Sequence, residues 1–407
     1  MSARVRVLSV FHEIGWAGDE SRMLSMSRTL DRERFEHMAI RILDLPENAT
    51  VAGFSDREKQ CLDMGLELRK LALEVPERDG KMRGFPASIY GKTRIFRIAG
   101  RLARFVRQRR VDIIDARTAA SFVGVLAGKM TGTPTCVTYY HGPSRWKETS
   151  WPWTTRLAMR LADRVLTDSE MRANEFRAQL RGREHKVIAI PNGIPQPQSA
   201  YTRDEARKLF GLPEDPLVQV VGQIGRLIES KGQAVLLRAA RKILDAHPEV
   251  AFLIVGYADD PHYREILDRL ARDLGVEDRV RIASYPGAIG DVWRAIDIHA
   301  HVSLFDSQPI SIIEGMSLGK PAVVTSVGGI PEMVEHGKTG LIVPPGDSDI
   351  LSSSVLELLN NQPLAKKLGQ AARERYEQRH RPEMMTHALE RVFLDMMRQE
   401  AAEKVES

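Results

Sequence analysis

The run from Ser303 to Val334, SLFDSQPISIIEGMSLGKPAVVTSVGGIPEMV, constrains the fold more than any other part of the chain. It reads as loop, helix, strand, glycine turn, helix. Asp306 or Ser307 can cap a helix whose first turn holds Pro309, where a missing N–H costs nothing. Ile312, Ile313 and Met316 form its inward stripe, and Gly319 is placed to end it. KPAVVT, with β-branched residues back to back, predicts a strand buried on both faces of a parallel sheet. Gly328-Gly329 then turns the chain into a second helix that Pro331 opens. Parallel strands need helical crossovers, so an α/β architecture follows.

The same run suggests anion and polyol binding. Helix N-termini offer unpaired N–H groups and positive dipole ends, which suit a phosphate. Asp306 precedes the helix and Glu314 lies on it eight positions later; such carboxylates accept from vicinal hydroxyls of a sugar or ribose. A capping Asp and a solvated Glu are the competing explanation. The stretch resembles the E-x7-E signature of glycosyltransferase family 4, the group 1 glycosyltransferases. That pattern runs approximately S-x-x-E-G-x-P-x-x-x-x-E-A-M-A-x-G-x-P-V-V-A-T-x-x-G-G-x-x-E. Asp306 stands for its first Glu, Ser307 for Gly and Gly315 for Ala, with the rest in register.

A second strand–loop–helix unit, LVQVVGQIGRLIESKGQAVLLRAARKIL, places Gly225-Arg226 at a strand end and Lys231-Gly232 before a helix. Two cations at such an edge can hold a diphosphate, Arg as a fork and Lys as a point charge. Two solvated loop cations are the alternative. The segment resembles the family's G-R-L-x-x-x-K-G motif. At the amino terminus, Val5–Val10 reads as a strand, followed by AGDESRMLSMSRTL, similar to the family's first glycine loop with Ala17-Gly18 replacing a glycine pair. No G-x-G-x-x-G is present, which removes the main support for a hydride-transfer enzyme. VDIIDA and TPTCVTYYHG are further strands. His141 follows the second of these, at the edge where open α/β sheets bind ligands.

Length and composition set bounds. A chain of 407 residues accommodates two or three domains with real cores. Cys61 and Cys136 match no metal or redox motif, no apolar run reaches the ~18 residues of a membrane span, and MSARVRVLSVF is too short and too charged for a signal segment. A cytoplasmic protein is expected. Residues 1–195 hold 34 Lys and Arg against 23 Asp and Glu, and the remainder 25 against 31. The basic half is expected to meet something anionic. TRIFRIAGRLARFVRQRR, 93–110, is an amphipathic helix with Ile95, Ile98, Leu102, Phe105 and Val106 on one stripe and five arginines opposite. Docking on anionic lipid and simple coverage of a sheet both fit it. Trp146, Trp151 and Trp153, in SRWKETSWPW, fit acceptor or membrane contact and plain packing equally. His299 and His301 form an H-x-H pair, but nothing is spaced to complete a metal site.

The resemblance extends over nearly the whole chain except about residues 44–92, and implies the following. The fold is GT-B: two Rossmann-like α/β domains facing each other across a cleft. Residues 1–195, with the C-terminal helix from about 381 to 407, form the acceptor-binding domain. Residues 196–380 form the nucleotide-sugar donor-binding domain, reached through the linker PNGIPQPQS. The activity is that of a retaining hexosyltransferase, moving a sugar from a UDP-sugar first, or a GDP-sugar second, to an acceptor hydroxyl. The acceptor is expected to be lipid-linked or a polysaccharide. Arg226 and Lys231, with Asp306 and Glu314, are the catalytic set. Gly225, Ile310, Ser311 and Gly18 line the donor, and His141 lies on the acceptor side. No metal or other cofactor is required. Partners are the nucleotide sugar and the acceptor, with peripheral contact to the inner face of an anionic membrane as a further expectation and no nucleic acid. The rival readings are a GT-B nucleotide-sugar epimerase and a non-catalytic nucleotide-sugar-binding relative.

Overall fold

The computed structural model describes residues 4–11, 18–42, 67–70, 92–139, 153–258 and 260–406. The chain divides into two compact units, one made of residues 1–191 and 382–407, the other of 192–381. His141, Trp146 and Trp151 lie outside the described residues.

The first unit is built on a seven-stranded parallel sheet. Its strands are β1 (Val5–Phe11), β2 (Phe35–Arg41), β3 (Glu67–Lys70), β4 (Ile113–Arg117), β5 (Thr135–Thr138), β6 (Arg164–Thr167) and β7 (Val187–Ala189). They run in the order β3-β2-β1-β4-β5-β6-β7, so the winding reverses between β1 and β4. The β-branched strands are buried on both faces, as expected of a parallel sheet. One face packs against Ile98, Leu102 and Val106 of the helix Lys92–Arg109, and against Val123, Met159 and Phe176 from the next three helices. The other face packs against Met26 of the helix Gly18–Thr29, against Leu30 just past its end, and against the last helix, Pro382–Glu406. The last helix buries Met385, Leu389, Val392, Phe393 and Met396. Met384 is exposed, because the helix phase set by Leu389 and Phe393 turns Met385 inward instead.

A buried polar network crosses the centre of this sheet. Asp115 accepts from Arg117 Nε (2.8 Å) and Thr138 Oγ1 (2.7 Å), and Ser9 and Ser27 hold the two ring nitrogens of His37 at 2.9 and 2.7 Å. Burial, followed by the Arg117 charge, pushes His37 down to about 3, so its ring is neutral at pH 7. Sequence reasoning assigned no partner to any of these residues.

The second unit repeats the plan with six parallel strands: β8 (Val220–Ile224), β9 (Ala251–Val255), β10 (Val280–Ala283), β11 (Ile298–His301), β12 (Ala322–Thr325) and β13 (Leu341–Val343). The order β10-β9-β8-β11-β12-β13 reverses between β8 and β11. Residues 192–195 pack with this unit. Ile194 is buried in its core and accepts from Tyr376 Oη at 3.0 Å, and Asn192 Nδ2 donates to the Gln308 carbonyl at 3.1 Å. The reversal point brings the carboxyl ends of β8 and β11 side by side, and open α/β sheets bind ligands at such ends.

Candidate functional site

The site grows from the two loops that leave β8 and β11. After β8 the chain passes through Gly225 and Arg226, makes one turn of 3-10 helix at Glu229–Lys231, and enters the helix Gln233–Ala246 at Gly232. Gly232 adopts φ +69°, and a Cβ there would lie 2.0 Å from the Val302 carbonyl oxygen. Conformation and space therefore both demand glycine, and the loop lies hard against the exit of β11. Two buried glutamines fix the two ends of the loop: Gln223 Nε2 donates to the Lys231 carbonyl (2.6 Å) and Gln233 Nε2 to the Arg226 carbonyl (2.8 Å). Leu304 N donates to the Ser230 carbonyl at 2.8 Å, tying the second loop to the first.

This scaffold brings Lys231 to Asp306. Nζ donates to Oδ2 at 2.6 Å, with the two side chains only 18% and 14% exposed. Asp306 Oδ2 also lies 3.0 Å from His301 Nε2 and 3.1 Å from Ser303 Oγ, and Oδ1 accepts from Ser307 N at 3.1 Å. Burial pushes the Asp306 carboxyl up, but the Lys231 ammonium and the His301 bond outweigh it and hold it well below the usual carboxylate range. Asp306 is thus an anion, and Lys231 donates directly to it.

The helix of the signature spans Ile310–Ser317, with Pro309 as its N-cap at ψ 129° and no side-chain cap. The sequence had placed Pro309 inside the first turn, with Asp306 or Ser307 capping. The extended ψ of Pro309 puts it outside, and Asp306 is drawn to Lys231 instead. Ile310 and Ser311 therefore open the helix, and Ser311 Oγ reaches His301 Nδ1 at 3.2 Å. Gly319 follows the helix at φ +66°, as its C-terminal position predicts.

Glu314, one turn along, accepts from Trp293 Nε1 at 2.9 Å. Trp293 is fully buried and stacks edge-on against His299, with ring centroids 4.9 Å apart. A Cβ on Gly315 would come to 3.0 Å from the Trp293 ring and 3.3 Å from His299 Nδ1, a tight fit at the position where the signature has alanine. Sequence reasoning missed Trp293 altogether.

The expected residues thus fall into groups. Lys231, Asp306 and Ser311 are joined through His301, and Gly225 lies beside the Lys231 stem, its Cβ position 3.9 Å from Cδ. Arg226 is exposed on the same loop, and Glu314 is held separately by Trp293. Gly18 opens the helix Gly18–Thr29 of the other unit. His299 and His301 lie on one strand, but His301 is engaged by Asp306, Ser303 and Ser311. Among the described residues, no group of three His, Cys, Asp or Glu is placed to hold a metal.

Comparison with known proteins adds a second line of observation. The family model described as "Glycosyl transferases group 1" matches residues 202–375, and "Glycosyltransferase Family 4" matches residues 64–196. The chain is 25% identical over 316 residues to N-acetyl-alpha-D-glucosaminyl L-malate synthase of Bacillus anthracis, covering 76% of this chain and 81% of that one. It is 30% identical over 209 residues to D-inositol 3-phosphate glycosyltransferase of Mycolicibacterium smegmatis, about half of each chain (50% and 47%). Among solved structures, Anabaena HepE in complex with UDP superposes with a TM-score of 0.77 at 21% identity, over 96% of this chain and 100% of that one.

Proposed function

The chain is a group 1 glycosyltransferase of GT-B fold, its two halves matched in order by two family models, and we propose that it is a retaining enzyme that uses a UDP-sugar. The observation that carries this reading is the Lys231 ammonium, held by Asp306 at the β8/β11 reversal point beside the open N-terminus of Ile310–Ser317. Loss of the leaving group builds negative charge on a diphosphate, and preorganised cations and N–H groups lower that barrier. Lys231, Arg226 and the first N–H groups of the helix supply this stabilisation, so no metal is needed. Glu314 accepts from the ribose hydroxyls. The leaving phosphate takes the acceptor proton, because retaining front-side transfer needs no separate base. A hexosyl donor with a uridine base is favoured over guanosine because a solved structure of the same fold, HepE, holds UDP.

A thermal-shift panel of UDP, GDP and ADP, all at one concentration of about 100 times the Kd of UDP, tests the donor assignment. UDP is expected to raise Tm by at least about 5 °C, since saturation to that degree stabilises by ~2.7 kcal/mol. A larger shift with GDP reassigns the base, and no shift with any of the three overturns the reading. Sugar isomerisation without an acceptor would identify the epimerase instead. Binding without turnover would identify a non-catalytic relative.

On the acceptor side, the first unit offers a surface suited to a lipid-linked or polysaccharide substrate at a membrane. Three consecutive helices, Lys92–Arg109, Ser121–Thr131 and Trp153–Leu161, contain no Asp or Glu. They expose Arg97, Arg101, Arg104, Lys129, Arg156 and Arg160 together with Phe96 (56%) and Trp153 (58%). Basic helices with exposed aromatic rings dock on anionic head groups at ~1 kcal/mol per well-placed Arg. No helix among the described residues is long and apolar enough to cross a membrane. The chain should co-sediment with phosphatidylglycerol vesicles but not with phosphatidylcholine ones, and Arg97→Glu with Arg104→Glu should release it. Equal binding to both kinds of vesicle, or none to either, removes the membrane from this account.

A further inference from the structure

We propose that His301 is a positioning residue, which fixes the Asp306 carboxylate so that Lys231 is aimed at the donor's diphosphate; the idea rests on the diphosphate reading of Lys231 given above. Three features of the geometry carry it. Asp306 is one methylene shorter than the signature's Glu, and its reach falls short by ~1.5 Å. The structure meets the shortened carboxylate from behind: Oδ2 takes Lys231 Nζ, His301 Nε2 and Ser303 Oγ at 2.6, 3.0 and 3.1 Å. With three donors from the protein, that oxygen has no capacity left for a sugar hydroxyl.

The chemistry of the partners also fixes the state of the ring. Asp306 is a carboxylate and can only accept, so Nε2 carries the proton. Burial holds the His301 pKa below the usual imidazole value, so the ring is neutral at pH 7 and Nδ1 accepts from Ser311 Oγ at 3.2 Å. Both ring nitrogens are therefore spent on residues of the site, Asp306 on one side and the second residue of the signature helix on the other. His301 is 2% exposed at the carboxyl end of β11, and its neighbour His299 meets it in a T-shaped ring contact, centroids 5.8 Å apart. The ring thus ties the Lys231 loop, through Asp306, to the N-terminus of Ile310–Ser317. In this chain Oδ2 of Asp306 acts through Lys231, and Oδ1, which accepts from Ser307 N at 3.1 Å, is the oxygen with a lone pair left for a sugar hydroxyl.

The test compares His301→Phe, His301→Gln, Asp306→Asn and the double variant His301→Phe/Asp306→Asn. UDP affinity is read by calorimetry, turnover as UDP release from saturating UDP-glucose, and folding by thermal melting. His301→Phe is expected to melt as a folded protein and bind UDP within about threefold of the parent, yet turn over about 30-fold more slowly. His301→Gln, which keeps an N–H donor, should recover to within about fivefold. The double variant should be no slower than Asp306→Asn alone, because both changes break one chain of bonds. Multiplied losses in the double variant, a Gln variant no better than Phe, or normal turnover by His301→Phe overturns the proposal. Lys231→Ala is the control for the premise: if it binds UDP normally, the diphosphate reading fails, whatever His301 does.

Discussion

Lys231→Ala lowers UDP affinity by about 10²–10³-fold and abolishes transfer, while both units stay folded. Two effects act in the same direction. The ammonium's own bonds to phosphate oxygens are lost, at ~1.5–3 kcal/mol for a charge-assisted contact. In addition, the Asp306 carboxylate, only 14% exposed, loses its counter-charge and is left to repel the incoming diphosphate. Removing one member of a buried pair costs ~3–5 kcal/mol because the other is stranded. The partly exposed position of this pair argues for the lower end of that range. Lys231→Ala/Asp306→Asn should therefore melt higher than Lys231→Ala and recover part of its UDP affinity. Arg226, exposed on the same loop, is expected to contribute about tenfold, as surface cations are screened. Calorimetric titration of the three variants with UDP, alongside melting curves, checks the ordering. Lys231→Ala with unchanged UDP affinity sinks it.

The second large effect belongs to Glu314. If it accepts from the ribose, Glu314→Ala removes two charge-assisted bonds and weakens UDP by about 10²-fold. The loss should be confined to nucleotides that carry those hydroxyls. The parent protein should strongly prefer UDP to its 2′,3′-dideoxy analogue, whereas Glu314→Ala should bind the two alike. Trp293→Phe withdraws the indole N–H that orients the carboxylate at 2.9 Å, and should cost about tenfold in UDP affinity without erasing the preference. A Glu314→Ala variant that still discriminates between the two nucleotides contradicts the ribose assignment.

What could be read from the sequence divides along a physical line. Local rules reached the β-strand KPAVVT, the helix through Ile312 and Met316 and its end at Gly319, because each rests on contacts within a few residues. Asp306, Glu314 and Lys231 stood out through their resemblance to the family's motifs, since local rules alone fit a capping Asp and solvated charges equally. Local rules failed where the partner is remote. Trp293 is 21 residues from Glu314 and looks like an ordinary core aromatic until the fold brings them together. The H-x-H pair did carry a signal, but it raised the question of metal when its answer lay in Asp306 and Ser311. The assignment of Pro309 to the first turn missed by one position, since the exact helix start is set by contacts that propensity does not see. The Asp115–Arg117–His37 network in the first unit was invisible, because charged residues are expected at the surface unless a partner is known.

The central claim is that the second unit seats a pyrophosphate at the β8/β11 reversal point. A crystal structure with UDP bound tests it most directly. The account predicts phosphate oxygens within hydrogen-bond distance of Lys231 Nζ and of the first N–H groups of Ile310–Ser317, with the ribose on Glu314. A nucleotide bound elsewhere, with Lys231 donating only to Asp306, contradicts it.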